Sequence, residues 1–102
     1  MSYSYFREHI MENSIAVSYI VQCASPNFTP MGFLPCNGQQ LSVSEYQALY
    51  SIIGPTYGGD GSKTFNLPDL RPVDDQGNKI SYKSAKLPAY IICYSGPLPY
   101  MA

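Results

Sequence analysis

Residues that could do chemistry crowd into one short run, Gly58-Gly59-Asp60-Gly61-Ser62-Lys63-Thr64. Its glycines and lysine invite comparison with a phosphate-binding loop. That chemistry needs a glycine directly before the lysine and a helix after it, so that free amides face the phosphate. Here Ser62 precedes Lys63 and strand-like alternation follows, so phosphate binding is set aside. Calcium would need several oxygen ligands at alternating positions. Asp60 stands alone in its loop, and Asp74 and Asp75 are adjacent, so turn-stabilising roles are expected for these carboxylates.

Nucleophilic catalysis needs a base within reach of a Ser or Cys. The single histidine, His9, lies in the polar N-terminal segment. Paired carboxylates for glycoside hydrolysis would have to come from Glu8, Glu12, Glu45, Asp60, Asp69, Asp74 and Asp75. Glu45 is assigned to a helix cap, and Asp69 and Arg71 are expected to satisfy local backbone or each other. An enzyme is therefore not expected, and neither is a cofactor. Cys23, Cys36 and Cys93 are widely separated with no C-x-x-C, which argues against zinc. Buried free thiols are expected, with a Cys23–Cys93 bridge left open.

The elements that must position these residues belong to a chain of 102 residues, most simply one domain at 15–102 preceded by a 1–14 arm. Charged residues make up 13%, roughly half the usual quarter, and there are ten tyrosines. Two readings of the tyrosines stand: they face partners, where Tyr is enriched, or they complete a small core. The net charge of −1 with scattered Lys and Arg lacks the electrostatic footprint of a nucleic-acid binder. No apolar run is long enough to span a bilayer. The N-terminus lacks a basic region followed by an apolar stretch, so no secretory signal is expected and synthesis in the cytoplasm is.

The spacing predicts a strand over Ile15–Ala24, ended by Ser25-Pro26-Asn27. Phe28–Gly38 reads as an irregular connection closing on an Asn37-Gly38 turn, with a short strand over Gln39–Leu41. A helix is predicted over 43–53. Ser42 and Glu45 form its capping box and Leu41 and Tyr46 its hydrophobic staple, while Val43, Tyr46, Leu49, Tyr50 and Ile53 make its apolar face. Gly54-Pro55 stops it. Lys63–Leu67 alternates as a strand with Phe65 and Leu67 inward. Val73–Ser84 is polar and turn-prone, with Ile80 and Tyr82 as an anchor. Ala89–Ser95 is a last strand whose near-continuous apolar run predicts a central position, beside the first strand in one sheet. In the arm, Phe6, Ile10 and Met11 fall at faint helical spacing. The fold class expected is α+β: a small, mainly antiparallel β domain with one short α-helix and long irregular loops.

With these residues in place, the chain resembles the phage tail collar domain family, shared with the bacterial proteins called microcystin-dependent. The likeness runs through Pro30, Gly32, Phe33, Cys36, Asn37, Gly38, Gln39 and Leu41, then Leu49, Gly54, Thr56, Tyr57, Gly58, Gly59, Asp60, Gly61, Thr64, Phe65, Leu67, Pro68, Asp69, Leu70 and Arg71. A closing segment is similar at Tyr90, Ile91, Ile92, Gly96 and Pro99. Family members usually continue after the arginine with a long, histidine-bearing insertion, whereas here Pro72 follows at once. Neither the metal nor the receptor-contacting head of that insertion carries over. The resemblance implies a structural component of a phage tail or tail-like particle, at a fibre or baseplate, acting in assembly or host attachment. It implies other tail proteins as partners and a homo-oligomer, with a trimer favoured. The motif residues are read as structural, with Asp60 bonding loop amides and Tyr57 partly buried. Tyr3, Tyr5, Phe6 and Ile10 of the arm are the expected docking residues. A free module binding host-surface glycan is the alternative.

Overall fold

The computed structural model describes residues 15–25 and 28–99. Five strands and two short helices follow in the order β1 (Ile20–Cys23), β2 (Phe33–Pro35), β3 (Gln40–Ser42), α1 (Gln47–Ile53), β4 (Thr64–Asn66), α2 (Tyr82–Ala85) and β5 (Ala89–Cys93). The strands form a three-stranded antiparallel sheet, ordered β1-β5-β2, and a two-stranded antiparallel β3-β4 sheet with α1 between its strands in sequence. The α+β expectation holds, with one further helical turn.

The last strand is central, as its apolar run predicts, and β1 is its neighbour. Alternate residues of β5 serve two clusters. Ile92 joins the main core with Val17, Cys36, Leu41, Leu49, Phe65 and Leu67, all buried. Ala89 and Ile91 face the other way and pack with Tyr82, Val21, Cys23 and Phe33. A strand buried on both faces needs apolar residues at successive positions, which Ile91-Ile92-Cys93 supply.

The first strand is shorter than its alternation predicts. Val17 donates its amide to the Pro97 carbonyl, and Ser18 takes a positive φ of 83° while bonding Cys93. This turn buries Val17 but leaves Tyr19 56% exposed, so pairing in register starts only at Ile20. β5 likewise ends at Cys93, two residues early. The segment read as an irregular connection contains β2, because Phe33–Pro35 finds the free side of β5. Of the turn assigned to Ser25-Pro26-Asn27, the last two residues lie outside the described residues, as does the 1–14 arm.

The helix stops where Gly54 was expected to stop it, at φ 56° with its amide on the Tyr50 carbonyl. It does not start where expected. Val43 donates to the Lys63 carbonyl, extending the β3-β4 ladder past Ser42. The Ser42 backbone carbonyl, rather than its hydroxyl, accepts from Glu45 and Tyr46, and its Oγ pairs with Ser44 Oγ at 2.9 Å. The capping box is absent: residues 43–46 are a turn, and the helix opens at Gln47 behind an uncapped Tyr46. The apolar face survives the shift. Leu49 is fully buried and Val43, Tyr46, Tyr50 and Ile53 pack on the main core, joined by Ile52.

All three thiols are free. The register sets Cys23 opposite Ala89, four residues along β5 from Cys93. At about 3.3 Å per residue that is well beyond the roughly 7 Å limit for a disulfide, so the Cys23–Cys93 bridge is ruled out. Burial pushes the Cys36 thiol up to about 11 and raises that of Cys93 as well. Both stay protonated, the state in which cysteine is a packing group and a poor nucleophile.

Candidate functional site

The corner between α1 and β4 is held from inside by one carboxylate. Asp60 Oδ1 accepts the amides of Ser62 at 2.8 Å, Lys63 at 2.7 Å and Thr64 at 3.0 Å. The Asp60 amide in turn donates to Thr64 Oγ1 at 3.1 Å. These backbone donors, Thr64 first, hold the Asp60 carboxyl below its ordinary value. The amides that a phosphate would need are therefore already occupied. Tyr50 reaches over from the helix and donates its hydroxyl to the Gly61 carbonyl at 2.7 Å. Its ring lies against Phe65, with centroids 5.2 Å apart.

Gly58 and Gly59 bring the loop against β4. Asn66 donates its amide to the Gly58 carbonyl, and a Cβ on Gly59 would sit 2.5 Å from the Phe65 Cα. The Thr56 side chain and amide both return to the Ile53 carbonyl. Tyr57, expected to be partly buried, is 50% exposed. With its flanks held by backbone bonds to Pro55 and Asn66, the loop has no need of its ring.

The second half of the motif closes the other end of the β3-β4 pair. Gly38, at φ 78°, donates to the Pro68 carbonyl, Leu70 donates to the Cys36 carbonyl, and Asn37 bridges Asp69. Asn37 Oδ1 accepts the Gln39 amide at 3.1 Å. Gly32, at φ 91°, accepts the Tyr94 amide, and Phe33 closes back on Pro30. Leu41, Phe65 and Leu67 are core, whereas Leu70 is 40% exposed.

Asp69 and Arg71 form a two-pronged pair, Nε to Oδ1 at 2.9 Å and Nη2 to Oδ2 at 2.8 Å. Lys79, which the sequence did not single out, donates to the backbone carbonyls of Asp69 and Arg71 at 3.0 and 3.1 Å. It clips the Val73–Lys79 bridge and its Asp74 turn onto the motif. Tyr82 is buried and donates its hydroxyl to the Cys36 carbonyl at 2.8 Å, and burial pushes that phenol up to about 12.

The hydrogen bonds from Arg71 hold the Asp69 carboxyl down at about 2. A depressed carboxylate contributes stability above its ordinary value that disappears as pH falls through the folded one. The expected result is an acid transition between the ordinary value of 3.8 and about 2, read as loss of denaturant resistance. Asp69→Asn should lower stability at neutral pH and flatten that dependence. An unchanged acid limb in the variant would count against the pair.

A shallow groove of about 190 Å³ opens beyond this clip, lined by Leu70, Pro72, Tyr82, Leu87, Pro88 and Tyr90, with Gln22 as its one other lining residue. Leu87 is 53% and Tyr90 37% exposed. A second groove of about 420 Å³ lies beside the start of α1, between Ser42, Val43, Ser44, Gln47, Ser62 and Lys63.

Residues 20–73, more than half of the chain, match the family model described as Phage Tail Collar Domain. The chain belongs to the phage tail collar domain family. No curated protein and no solved structure matches it. Membership in the collar family points to a structural role in the phage tail fibre, in association with other tail proteins. The matched span runs from β1 through the glycine corner to the first residue of the Lys79-clipped bridge. Tyr82, Leu87 and Tyr90 of the groove fall outside it.

No described helix of this collar domain is long and apolar enough to cross a membrane. Among the described residues, no group of three His, Cys, Asp or Glu could hold a metal ion. Of the residues expected to dock partners, Tyr3, Tyr5, Phe6 and Ile10 all lie outside the described residues. Lys79 and the groove escaped sequence reasoning because their residues are far apart in the chain. Only Tyr82, already flagged with Ile80 as an anchor, signalled that this region is tied to the core.

Proposed function

We propose that this collar domain is an assembly component at a phage tail fibre or baseplate, acting without catalysis and working as a homo-oligomer, with a trimer favoured. The carrying observation is that the family motif is spent on shape. Asp60, Asp69, Asn37 and the glycines are engaged by the chain's own backbone or by one another, while Tyr19, Ile20, Leu87 and Tyr90 remain on the surface. Exposed apolar groups of this kind are what association with partners covers.

The 1–14 arm, with Tyr3, Tyr5, Phe6 and Ile10, is the segment assigned to contact a neighbouring virion protein. Deleting it is expected to leave a folded domain, since the described residues from Val17 onward form two core clusters of their own, but one that fails to enter particles. Normal incorporation of the truncated chain, scored by quantitative mass spectrometry of purified particles, would sink the assignment. Attachment to a host-surface glycan is the second reading, favoured by the hydrogen-bonding side chains of Ser42, Ser44, Gln47, Ser62 and Lys63 along the groove beside α1. It is discarded if the isolated chain shows no binding to host glycans by titration calorimetry.

A further inference from the structure

Between Pro72 and Pro88 the chain is folded mostly on itself. Asp74 donates its amide to the Asn78 carbonyl, Gly77 to Asp74, Ile80 to Pro72 and Ala85 to Ser81. Val73 bridges Lys79, Asp74 Oδ1 accepts the amides of Gln76 and Asn78, and Ser81 Oγ accepts that of Ser84. Each of these bonds begins and ends inside the segment. Tyr82 is its one buried residue, with Pro72, Ile80 and Ala85 half-buried.

Among the described residues, two side chains carry the segment's hydrogen bonds to the rest of the domain. Lys79 Nζ reaches the carbonyls of Asp69 and Arg71 at 3.0 and 3.1 Å, and the Tyr82 hydroxyl reaches that of Cys36 at 2.8 Å. Tyr82 is also the one described member of the second core cluster from outside the three-stranded sheet. Ala89 and Ile91 belong to β5, Val21 and Cys23 to β1, and Phe33 to β2. The seam between segment and sheet is not filled. The groove of about 190 Å³ runs along it, with Pro72, Tyr82, Leu87 and Pro88 from the segment and Gln22 and Tyr90 from the sheet.

A segment with little buried apolar surface and few bonds across its boundary opens ahead of the whole protein. The β3-β4 pair is the opposite case. Val43 donates to Lys63, Leu67 to Gln39 and Asn66 to Gly58, around a fully buried Phe65. We propose that residues 72–88 form a strap that releases from the domain as one unit while the main core stays folded, uncovering the side of β5 that carries Ala89 and Ile91. Release breaks the Lys79 and Tyr82 ties and the packing of one ring, because the strap's own bonds travel with it. The device belongs to the single chain and stands whether or not the assembly reading does.

The test is native-state amide exchange on the full-length chain, followed by NMR at increasing urea below the unfolding transition. The reporters are Ile80 and Ala85 in the strap and Leu67 in the core. The urea slope of an exchange free energy scales with the surface that opening exposes. Ile80 and Ala85 should therefore share one opening free energy and one slope, both smaller than those of Leu67. Tyr82→Phe and Lys79→Met each remove one tie and keep most of the side chain. Tyr82→Phe should speed exchange at Ile80, and Lys79→Met at Ala85, by about fivefold, the factor set by one hydrogen bond of ordinary net strength. The double variant should bind more of the apolar dye ANS than the wild type, which reports newly exposed apolar surface, while Leu67 remains protected.

Strap amides that exchange only together with Leu67 overturn the proposal, since the segment then opens only by global unfolding. Zero urea slopes, or a variant that speeds exchange beside its own site and leaves the other strap amide unchanged, overturn it as well, because the segment then frays locally. An ANS signal no greater than that of the wild type removes the uncovering of β5.

Discussion

Replacing Gly59 with valine is expected to destabilise the collar domain severely. Its Cβ would lie 2.5 Å from the Phe65 Cα, 2.6 Å from the Thr64 carbonyl oxygen and 2.8 Å from the Phe65 amide nitrogen. All three are backbone atoms of β4, pinned in the β3-β4 ladder, so no side chain can rotate aside. The φ of +96° adds strain for any residue with a side chain. Overpacking of roughly 1–3 kcal/mol and backbone strain of similar size together make a cost of about 2–6 kcal/mol. Domains of this size have about 5–15 kcal/mol in all. Gly54→Ala is the matched control: its φ is also positive, at +56°, but nothing lies within 4 Å of the added Cβ. It should cost only the backbone strain, about 1–3 kcal/mol. Urea denaturation of the three chains decides the matter, and a Gly59→Val protein within 1 kcal/mol of wild type would reverse it.

Phe65→Ala carries the second large effect. Phe65 is completely buried, in one cluster with Leu41, Leu49, Leu67 and Ile92. Those residues come from β3, α1, the position after β4, and β5, so the ring helps join the β3-β4 pair to the three-stranded sheet. Truncating a buried Phe typically costs about 3–5 kcal/mol. Tyr50 loses its ring partner at the same time, and its hydroxyl is the tie to Gly61. Amide exchange at Gly61–Thr64 should therefore accelerate in Phe65→Ala beyond what global destabilisation accounts for. Met31→Ala, at a residue 88% exposed, is expected to stay within about 0.5 kcal/mol of wild type. A loss at Phe65 no larger than that would mean the β3-β4 pair and the three-stranded sheet are not coupled through this ring.

The two variants sit in the glycine corner, and they show what kind of object it is. Gly59 is required by contact, since the loop lies directly on β4. Asp60 is required by hydrogen bonding, since one carboxylate oxygen gathers three consecutive amides. Neither is aimed outward at a ligand. In this collar domain the run's polar groups are engaged by its own backbone.

Legibility in the sequence followed how local each determinant is. The β4 alternation put Phe65 and Leu67 in the core and Thr64 and Asn66 at its margin, because a strand sorts its side chains with period two and nothing overrides it there. Gly54-Pro55 ended α1 because a positive φ followed by proline needs no tertiary help. The continuous apolar run of β5 declared a central strand. The Asp69–Arg71 pair, two residues apart, was equally readable.

Tertiary structure decided where competing hydrogen-bond partners existed. Ser42 and Glu45 spell a capping box, yet the Lys63 carbonyl draws Val43 into the ladder and the cap never forms. Ile15–Tyr19 alternates like a strand, but bonds from Val17 to Pro97 and from Ser18 to Cys93 bend it into a turn. Phe33–Pro35 becomes a strand only because β5 leaves a side open, and Tyr57 is exposed because backbone bonds hold its loop. By itself the sequence determined the family, the helix stop, the glycine corner and the core strand, all properties written in neighbouring residues. Only the fold could choose among partners distant in the chain. That choice set the helix start, tied Tyr82 to Cys36 and Lys79 to Asp69, and brought Gln22, Leu70, Leu87 and Tyr90 together into one groove.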